Sequence, residues 1–225
     1  MNAFDYFFEK TSHLEKPFLA GKESLSFREL HDSSLALAGY LRREFGQNRN
    51  ILLLSVNNPF FLKAYFAIIK SGNVCIPLDP NIEKENLDYI SKLTEPVMIF
   101  MTRDIEKKIP DGNIKAIFPD TIGNEEFKSP FPETTGTENE DDCAEIIFTS
   151  GSTGIPKGVM ISHKNLRANT ESIITYLKLT ENDRMLVVLP FYYCYGLSLL
   201  HTHLRAGGSI VLNNSFIFLG SIINN

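Results

Sequence analysis

No window of this 225-residue sequence approaches the roughly 18 apolar residues in a row that a helix needs to cross a bilayer, so no helical membrane span is expected. The first ten residues, Met1-Asn2-Ala3-Phe4-Asp5-Tyr6-Phe7-Phe8-Glu9-Lys10, carry no basic leader ahead of an apolar stretch, and no secretory signal is expected. Cysteine is scarce. Cys75, Cys143 and Cys194 lie far apart and show no Cys-x-x-Cys spacing, a usage that fits reduced thiols in a cytoplasmic protein better than disulfides or zinc. Basic clusters are lacking too: 22 Lys and Arg stand against 27 Asp and Glu, for a formal charge of −5. Affinity for a nucleic-acid backbone draws on many basic contacts, so a nucleic-acid partner is not expected. A mononucleotide needs only local donors and stays open.

What is present is a soluble pattern, 43% hydrophobic and 22% charged, enough for one large domain or two small ones. Ser26 and Glu29 have capping-box spacing, and Leu30, Leu35, Leu37, Ala38 and Leu41 continue an amphipathic stripe to about Glu44, which predicts a helix. There follow an apolar run 51–54, a helix from about Pro59 to Lys70 closed by Gly72, a strand 74–76, a helix from Lys84 to Leu93 and a strand 97–101. Continuous apolar strands between helices are what a parallel sheet covered on both faces requires, so the fold class is α/β. From 119 to 142 the chain turns polar, and Glu138-Asn139-Glu140-Asp141-Asp142 reads as a solvated acidic connection rather than a metal site. The expected organisation is therefore an α/β subdomain at 1–118, a connection at 119–142 and the start of a second α/β subdomain at 143–225. In that second part, strands Glu145 to Phe148 and Val159 to Ile161 flank a loop. Ser162 caps a helix to about Lys178, and strands are expected at Arg184 to Leu189 and at Ser209 to Leu212.

The loop between those strands carries the most chemistry. Phe148 to Gly158 reads Phe-Thr-Ser-Gly-Ser-Thr-Gly-Ile-Pro-Lys-Gly. Gly151, Gly154 and Gly158 let backbone N–H groups come close to a ligand, Thr149, Ser150, Ser152 and Thr153 supply hydroxyls, and Lys157 supplies charge. The combination suits phosphate. An ordinary Gly/Ser-rich surface turn would have no need of Pro-Lys-Gly at its end. A Walker-type loop fails at two positions, because Pro156 stands where its second glycine belongs and Gly158 where its magnesium-binding hydroxyl belongs.

Thr149-Ser150-Gly151-Ser152-Thr153-Gly154-x-Pro156-Lys157-Gly158 resembles the signature loop of the adenylate-forming superfamily of acyl-CoA synthetases, luciferases and peptide-synthetase adenylation domains. Ala64 to Pro80 is similar to that family's upstream motif, and Leu189 to Ser198, Leu-Pro-Phe-Tyr-Tyr-Cys-Tyr-Gly-Leu-Ser, to the segment that shapes its acyl pocket. The resemblance implies a layered α-β-α-β-α arrangement. It also implies that Thr149, Ser150, Gly151, Ser152, Thr153, Gly154 and Lys157 hold the ATP phosphates, that Tyr193 contacts the acid, and that Gly196 leaves room for an acyl chain. The implied reaction joins a carboxylic acid, here a fatty or other acyl acid, to AMP with release of pyrophosphate. It then passes the acyl group to CoA or to the phosphopantetheine of an acyl carrier protein, with Mg²⁺ accompanying ATP. The family's Tyr-Gly-x-Thr-Glu motif, ribose-binding aspartate, hinge and C-terminal domain with its lysine do not occur in these 225 residues. The sequence thus reads as an N-terminal part that binds ATP weakly and turns over little, with no certain catalytic residue of its own and Mg²⁺ ligands elsewhere. The Phe-Asp-x-Ser common in peptide synthetases is missing from 190–196, which favours the acyl branch. An amino-acid adenylation fragment and a non-catalytic nucleotide-binding module are the alternatives. His163 and Asn165 are expected to shape the start of a helix, and Cys194, His201 and His203 to serve packing or the surface, with no metal site.

Overall fold

The structure, a computed structural model, describes residues 1–109, 114–122, 124, 127, 130–131, 139–149 and 156–214. The chain opens with α1 (Ala3–Phe8), capped by Asn2, whose side chain accepts from Phe4 N at 2.8 Å. Strands β1 (Pro17–Ala20) and β2 (Leu25–Ser26) follow, then α2 (Phe27–Phe45). The predicted capping box starts α2: Ser26 Oγ accepts from Glu29 N at 3.1 Å and Glu29 accepts from Ser26 N at 2.8 Å. Next come β3 (Asn50–Leu54), α3 (Pro59–Lys70) with proline at its first position and Asn58 as its cap, β4 (Val74–Leu78), α4 (Lys84–Thr94) and β5 (Met98–Met101). A 3₁₀ turn at Arg103–Lys108 leads to β6 (Lys115–Ile117). The second part holds β7 (Cys143–Thr149), β8 (Lys157–Ser162), α5 (His163–Leu177), β9 (Arg184–Val187), α6 (Cys194–Ala206) and β10 (Ser209–Leu212).

Two sheets organise these elements. The larger has the order β6-β5-β3-β4-β7-β8, parallel throughout except for the antiparallel β7–β8 pair. The smaller has the order β2-β1-β10-β9, parallel except for β1–β2. Period-2 alternation sends Ile51, Leu53, Cys75, Met98 and Phe100 to one face of the large sheet, where they join one core with side chains of α1, α2, α3 and α6. The small sheet enters the same core through Phe18, Leu19, Val187 and Ile210. Leu52, Leu54, Ile76, Leu78, Ile99 and Met101 face the other way and are covered by Leu87 and Ile90 of α4. The layers run helix, large sheet, helices, small sheet, so the described residues build four of the five layers of the expected α-β-α-β-α stack, and the α/β class holds.

The division at 118 and 143 does not coincide with the sheets. β1 lies between β2 and β10, and β7 pairs in parallel with β4 across the connection at 119–142. Strands satisfy their backbone N–H and C=O groups against partners far away in sequence, and a change of composition along the chain carries no record of that pairing. The strand expected at 184–189 ends at Val187, and α1, β1, β2, β6 and α6 went unpredicted.

Candidate nucleotide-binding site

β7 and β8 form a hairpin whose registered pairs run Ile146↔Met160, Ile147↔Val159, Phe148↔Gly158 and Thr149↔Lys157. Of the expected phosphate-binding residues, the structure therefore sets Thr149 and Lys157 side by side at the end of the hairpin where the chain passes from β7 to β8, with Thr149 Oγ1 3.5 Å from Lys157 O. Ser150, Gly151, Ser152, Thr153 and Gly154 lie outside the described residues. Lys157 is exposed and has no ion-pair partner among the described residues. Gly158 is required by cross-strand packing: a Cβ there would stand 2.8 Å from Ile146 Cγ2 and 3.1 Å from Phe148 Cζ.

A cleft of about 310 Å³ opens beside the hairpin, at the carboxyl ends of the adjacent strands β4 and β7. That is where open α/β sheets place ligands, because crossover connections leave the strand ends uncovered. Its walls include Asp79 just after β4, Glu83 at the start of α4, Thr149 and Pro156 of the hairpin, and Tyr192 with Tyr193 before α6. Tyr193 is the N-cap residue of α6, 53% exposed, with its ring 4.8 Å from that of Tyr192. The Tyr192 phenol is hydrogen-bonded to Asp79, and burial first, then the Asp79 charge, pushes its pKa up to about 12. Gly196 does not line the cleft. A Cβ at that position would stand 2.1 Å from Pro190 O, so the first turn of α6 is pressed onto the preceding backbone and glycine is what that contact demands.

Sequence reasoning missed two residues that hold this wall. Asn57 donates to Leu189 O at 2.9 Å and accepts from Phe191 N at 2.8 Å, which pins the segment before Tyr192 to the turn ahead of α3. Phe191 is fully buried against Phe61, with ring centroids 5.4 Å apart. Asp79, the second, lies within the stretch Ala64 to Pro80, whose family resemblance assigns it no role. Asn57 had no local signal, since its partners lie more than 130 residues on.

The other candidates fall into structural places. Ser162 and Asn165 form a capping box for α5. His163 is buried and accepts from Ala3 N at 3.2 Å, with burial pulling its pKa down to about 4, so the ring is neutral and faces α1 rather than the cleft. His203 donates to Leu199 O at 2.9 Å inside α6, and His201 is buried against Tyr65. Cys194 is exposed at the start of α6. In the acidic stretch, Glu140 pairs with Arg167 at 2.6 Å and Asp141 with Lys164 at 3.5 Å, which ties it to α5. Among the described residues no helix is long and apolar enough to cross a membrane.

Comparison with known proteins places this geometry. The profile of the AMP-binding enzyme family matches residues 8–221. A D-alanine–D-alanyl carrier protein ligase of Listeria monocytogenes is 29% identical over 191 residues, which cover 83% of this chain and 38% of that protein. ATP-bound MatB from Rhodopseudomonas palustris superposes with a TM-score of 0.86 at 26% identity, covering all of this chain and 47% of that one. The o-succinylbenzoate coenzyme A synthetase MenE of Bacillus subtilis, in complex with AMP, superposes at 0.83 and 23% identity over 99% of this chain and 58% of that one, a likeness of fold. The chain thus spans less than two thirds of each.

Proposed function

The chain belongs to the AMP-binding enzyme family, and from that premise we propose that it supplies the ATP-binding portion of a ligase that activates a carboxylic acid as its acyl-AMP, releases pyrophosphate and passes the acyl group to a thiol. The observation that carries this reading is the hairpin register. It puts an exposed lysine, without an ion-pair partner among the described residues, and a hydroxyl at the two ends of the glycine- and hydroxyl-rich run 150–155, next to a cleft at the strand ends. The residues present fit a triphosphate: Thr149, Ser150, Gly151, Ser152, Thr153, Gly154 and Lys157 hold its oxygens, and Mg²⁺ arrives with the nucleotide, bound largely by phosphate oxygens. Bringing a carboxylate to the α-phosphate sets two anions together. The protein's work in that step is to orient them and to offset their repulsion with fixed donors. The acid is assigned to Tyr193, a reading supported by its exposure and its place among the residues that line the cleft. The acceptor is CoA or a carrier-protein phosphopantetheine, the latter in keeping with the name of the Listeria ligase.

The test has two arms. Titration calorimetry with MgATP on the chain and on Lys157→Ala is expected to show a 10- to 100-fold weaker affinity for the variant, since a charge-assisted hydrogen bond is worth about 1.5–3 kcal/mol. The melting temperature should not change, because Lys157 is exposed. Equal affinities would overturn the assignment. Pyrophosphate release by the complete gene product, assayed against fatty acids, aryl acids and amino acids including D-alanine, identifies the acid. No release with any of them would refute the activity.

A further inference from the structure

A carboxylic acid in the middle of the core takes no part in the chemistry just proposed. Glu145 stands near the start of β7, the strand that ends at Thr149, and is 2% exposed. Tyr65 on α3 donates its phenol proton to Glu145 Oε2 at 2.8 Å, and the same phenol oxygen lies 2.8 Å from Nε2 of His201 on α6. Tyr65 and His201 are as buried as the acid, and Phe7 of α1 stacks on the His201 ring at 4.5 Å. One hydrogen-bonded chain therefore runs from α6 through α3 to the strand that leads into the phosphate-binding run.

The groups that face Glu145 are few. Tyr65 comes from α3, the Cys75 thiol from the registered position on β4, and His201 from α6 beyond the phenol, while on β7 itself the Cys143 thiol donates to Glu145 O at 3.4 Å and burial pushes its pKa up, so it stays protonated. β8 sets Ile161 opposite it. No cation bears on it among the described residues. Burial pushes the acid up to about 7, pulls His201 down to about 3 and holds the Tyr65 and Cys75 protons far above their ordinary range. Glu145 is thus the member that changes charge near neutral pH.

A phenol has one proton to give, which ties the directions of the two bonds together. We propose that Glu145, Tyr65 and His201 are a proton-directed positioning device for β7. With Glu145 ionised, the phenol donates to the carboxylate and accepts from His201 Nε2–H. With Glu145 protonated, the carboxyl donates to the phenol, the phenol donates to a bare Nε2, and the histidine proton sits on Nδ1. The whole change takes up one proton, at Glu145, with the imidazole remaining neutral. In the ionised form the large sheet holds an uncompensated negative charge on the strand that presents Thr149 to the phosphates. The link to nucleotide rests on the function proposed above; the proton switch does not.

Nitrogen NMR of the imidazoles in labelled protein, followed from pH 5.5 to 8.5, tests the switch. His201 is expected to pass from the Nδ1–H to the Nε2–H tautomer as pH rises, and to keep a single tautomer in Glu145→Gln, whose side chain cannot ionise. Tyr65→Phe keeps the ring and removes the relay, so its His201 signal should also stop following pH. A single His201 tautomer across the range in the native protein would overturn the proposal. Calorimetry then reads the consequence: MgATP affinity should weaken several-fold between pH 6 and 8 in the native chain and stay level in Glu145→Gln once the nucleotide's own titration is subtracted. Equal profiles would remove the positioning role, whereas absence of ATP binding at every pH would sink the function proposed above and leave the NMR result standing.

Discussion

At the level of single residues, Gly196 has the least room for a side chain of the described glycines. A methyl group there meets a backbone carbonyl at 2.1 Å, and a carbonyl cannot rotate aside as a side chain can. Overpacking of this kind costs about 1–3 kcal/mol, and Gly196→Ala is expected at the upper end, seen as a lower urea midpoint with an unchanged slope. The buried histidines give a second expectation. His163 and His201 have folded pKa values below their ordinary 6.5, so each binds fewer protons folded than unfolded. Their contribution is complete above pH 6.5 and is lost as pH falls toward 4 and 3 respectively. Glu145, raised from 4.5, runs the other way: its contribution is complete below pH 4.5 and fades by about pH 7. In His163→Asn, whose side-chain oxygen can still accept from Ala3 N, the loss of stability between pH 6.5 and 4 should shrink by about 2–3 kcal/mol, read from urea unfolding at each pH. Lys157 and the hydroxyl run before it could be singled out from sequence because their spacing along the chain is itself the signal. Asn57, Asp79 and Glu145 could not, because each takes its role from a partner on another element, 80 or more residues away in the case of Glu145 and Asn57.

Elements that carry their own end signals were legible. α2, α3 and α5 each begin at a cap whose side chain accepts a backbone proton, and all three were placed to within one or two residues. α6 was not. Its cap position is Tyr193, which makes no capping hydrogen bond, and its first turn holds Gly196, so the local pattern argued against a helix that tertiary packing supplies. β1, β2 and β6 have two to four residues each and exist through their pairing. The caps make a measurable claim: Ser162→Ala removes the half of the α5 box in which Ser162 Oγ accepts from Asn165 N, leaves the backbone N–H of residue 162 donating to Asn165 Oδ1, and is expected to cost about 1 kcal/mol, or roughly 2–4 °C in melting temperature for a chain of this size, by scanning calorimetry. An effect near zero would mean that the Ser162 hydroxyl adds nothing to what packing already gives α5.

Across the whole molecule, the beginning of the chain ties three helices together, α3, α5 and α6. Asn2 donates to Ile69 O on α3 at 2.9 Å, Tyr6 donates to Glu171 on α5 at 2.6 Å, and Arg205 of α6 donates to Tyr6 O at 2.6 Å and pairs with Glu9 at 2.8 Å. Removal of residues 1–26 takes away α1, an internal strand and its neighbour together. The expected result is a chain without a cooperative urea transition that binds a hydrophobic dye; a sharp transition would show that the rest folds by itself. The α/β class and the order of most helices and strands followed from periodicity. The merging of 1–118 with 143–225 into shared sheets did not, because it is decided by which edges meet.

The parallel pairing of Leu19 with Ile210 also has a consequence during synthesis. At about 5–20 residues per second, ten to forty seconds pass between the emergence of the first strand and that of the strand that flanks it. For that interval Phe18 and Leu19 belong to an incomplete β-ribbon held by Leu25 and Ser26 alone. The nascent chain therefore depends on whatever shields that ribbon at the ribosome until its second neighbour has been translated.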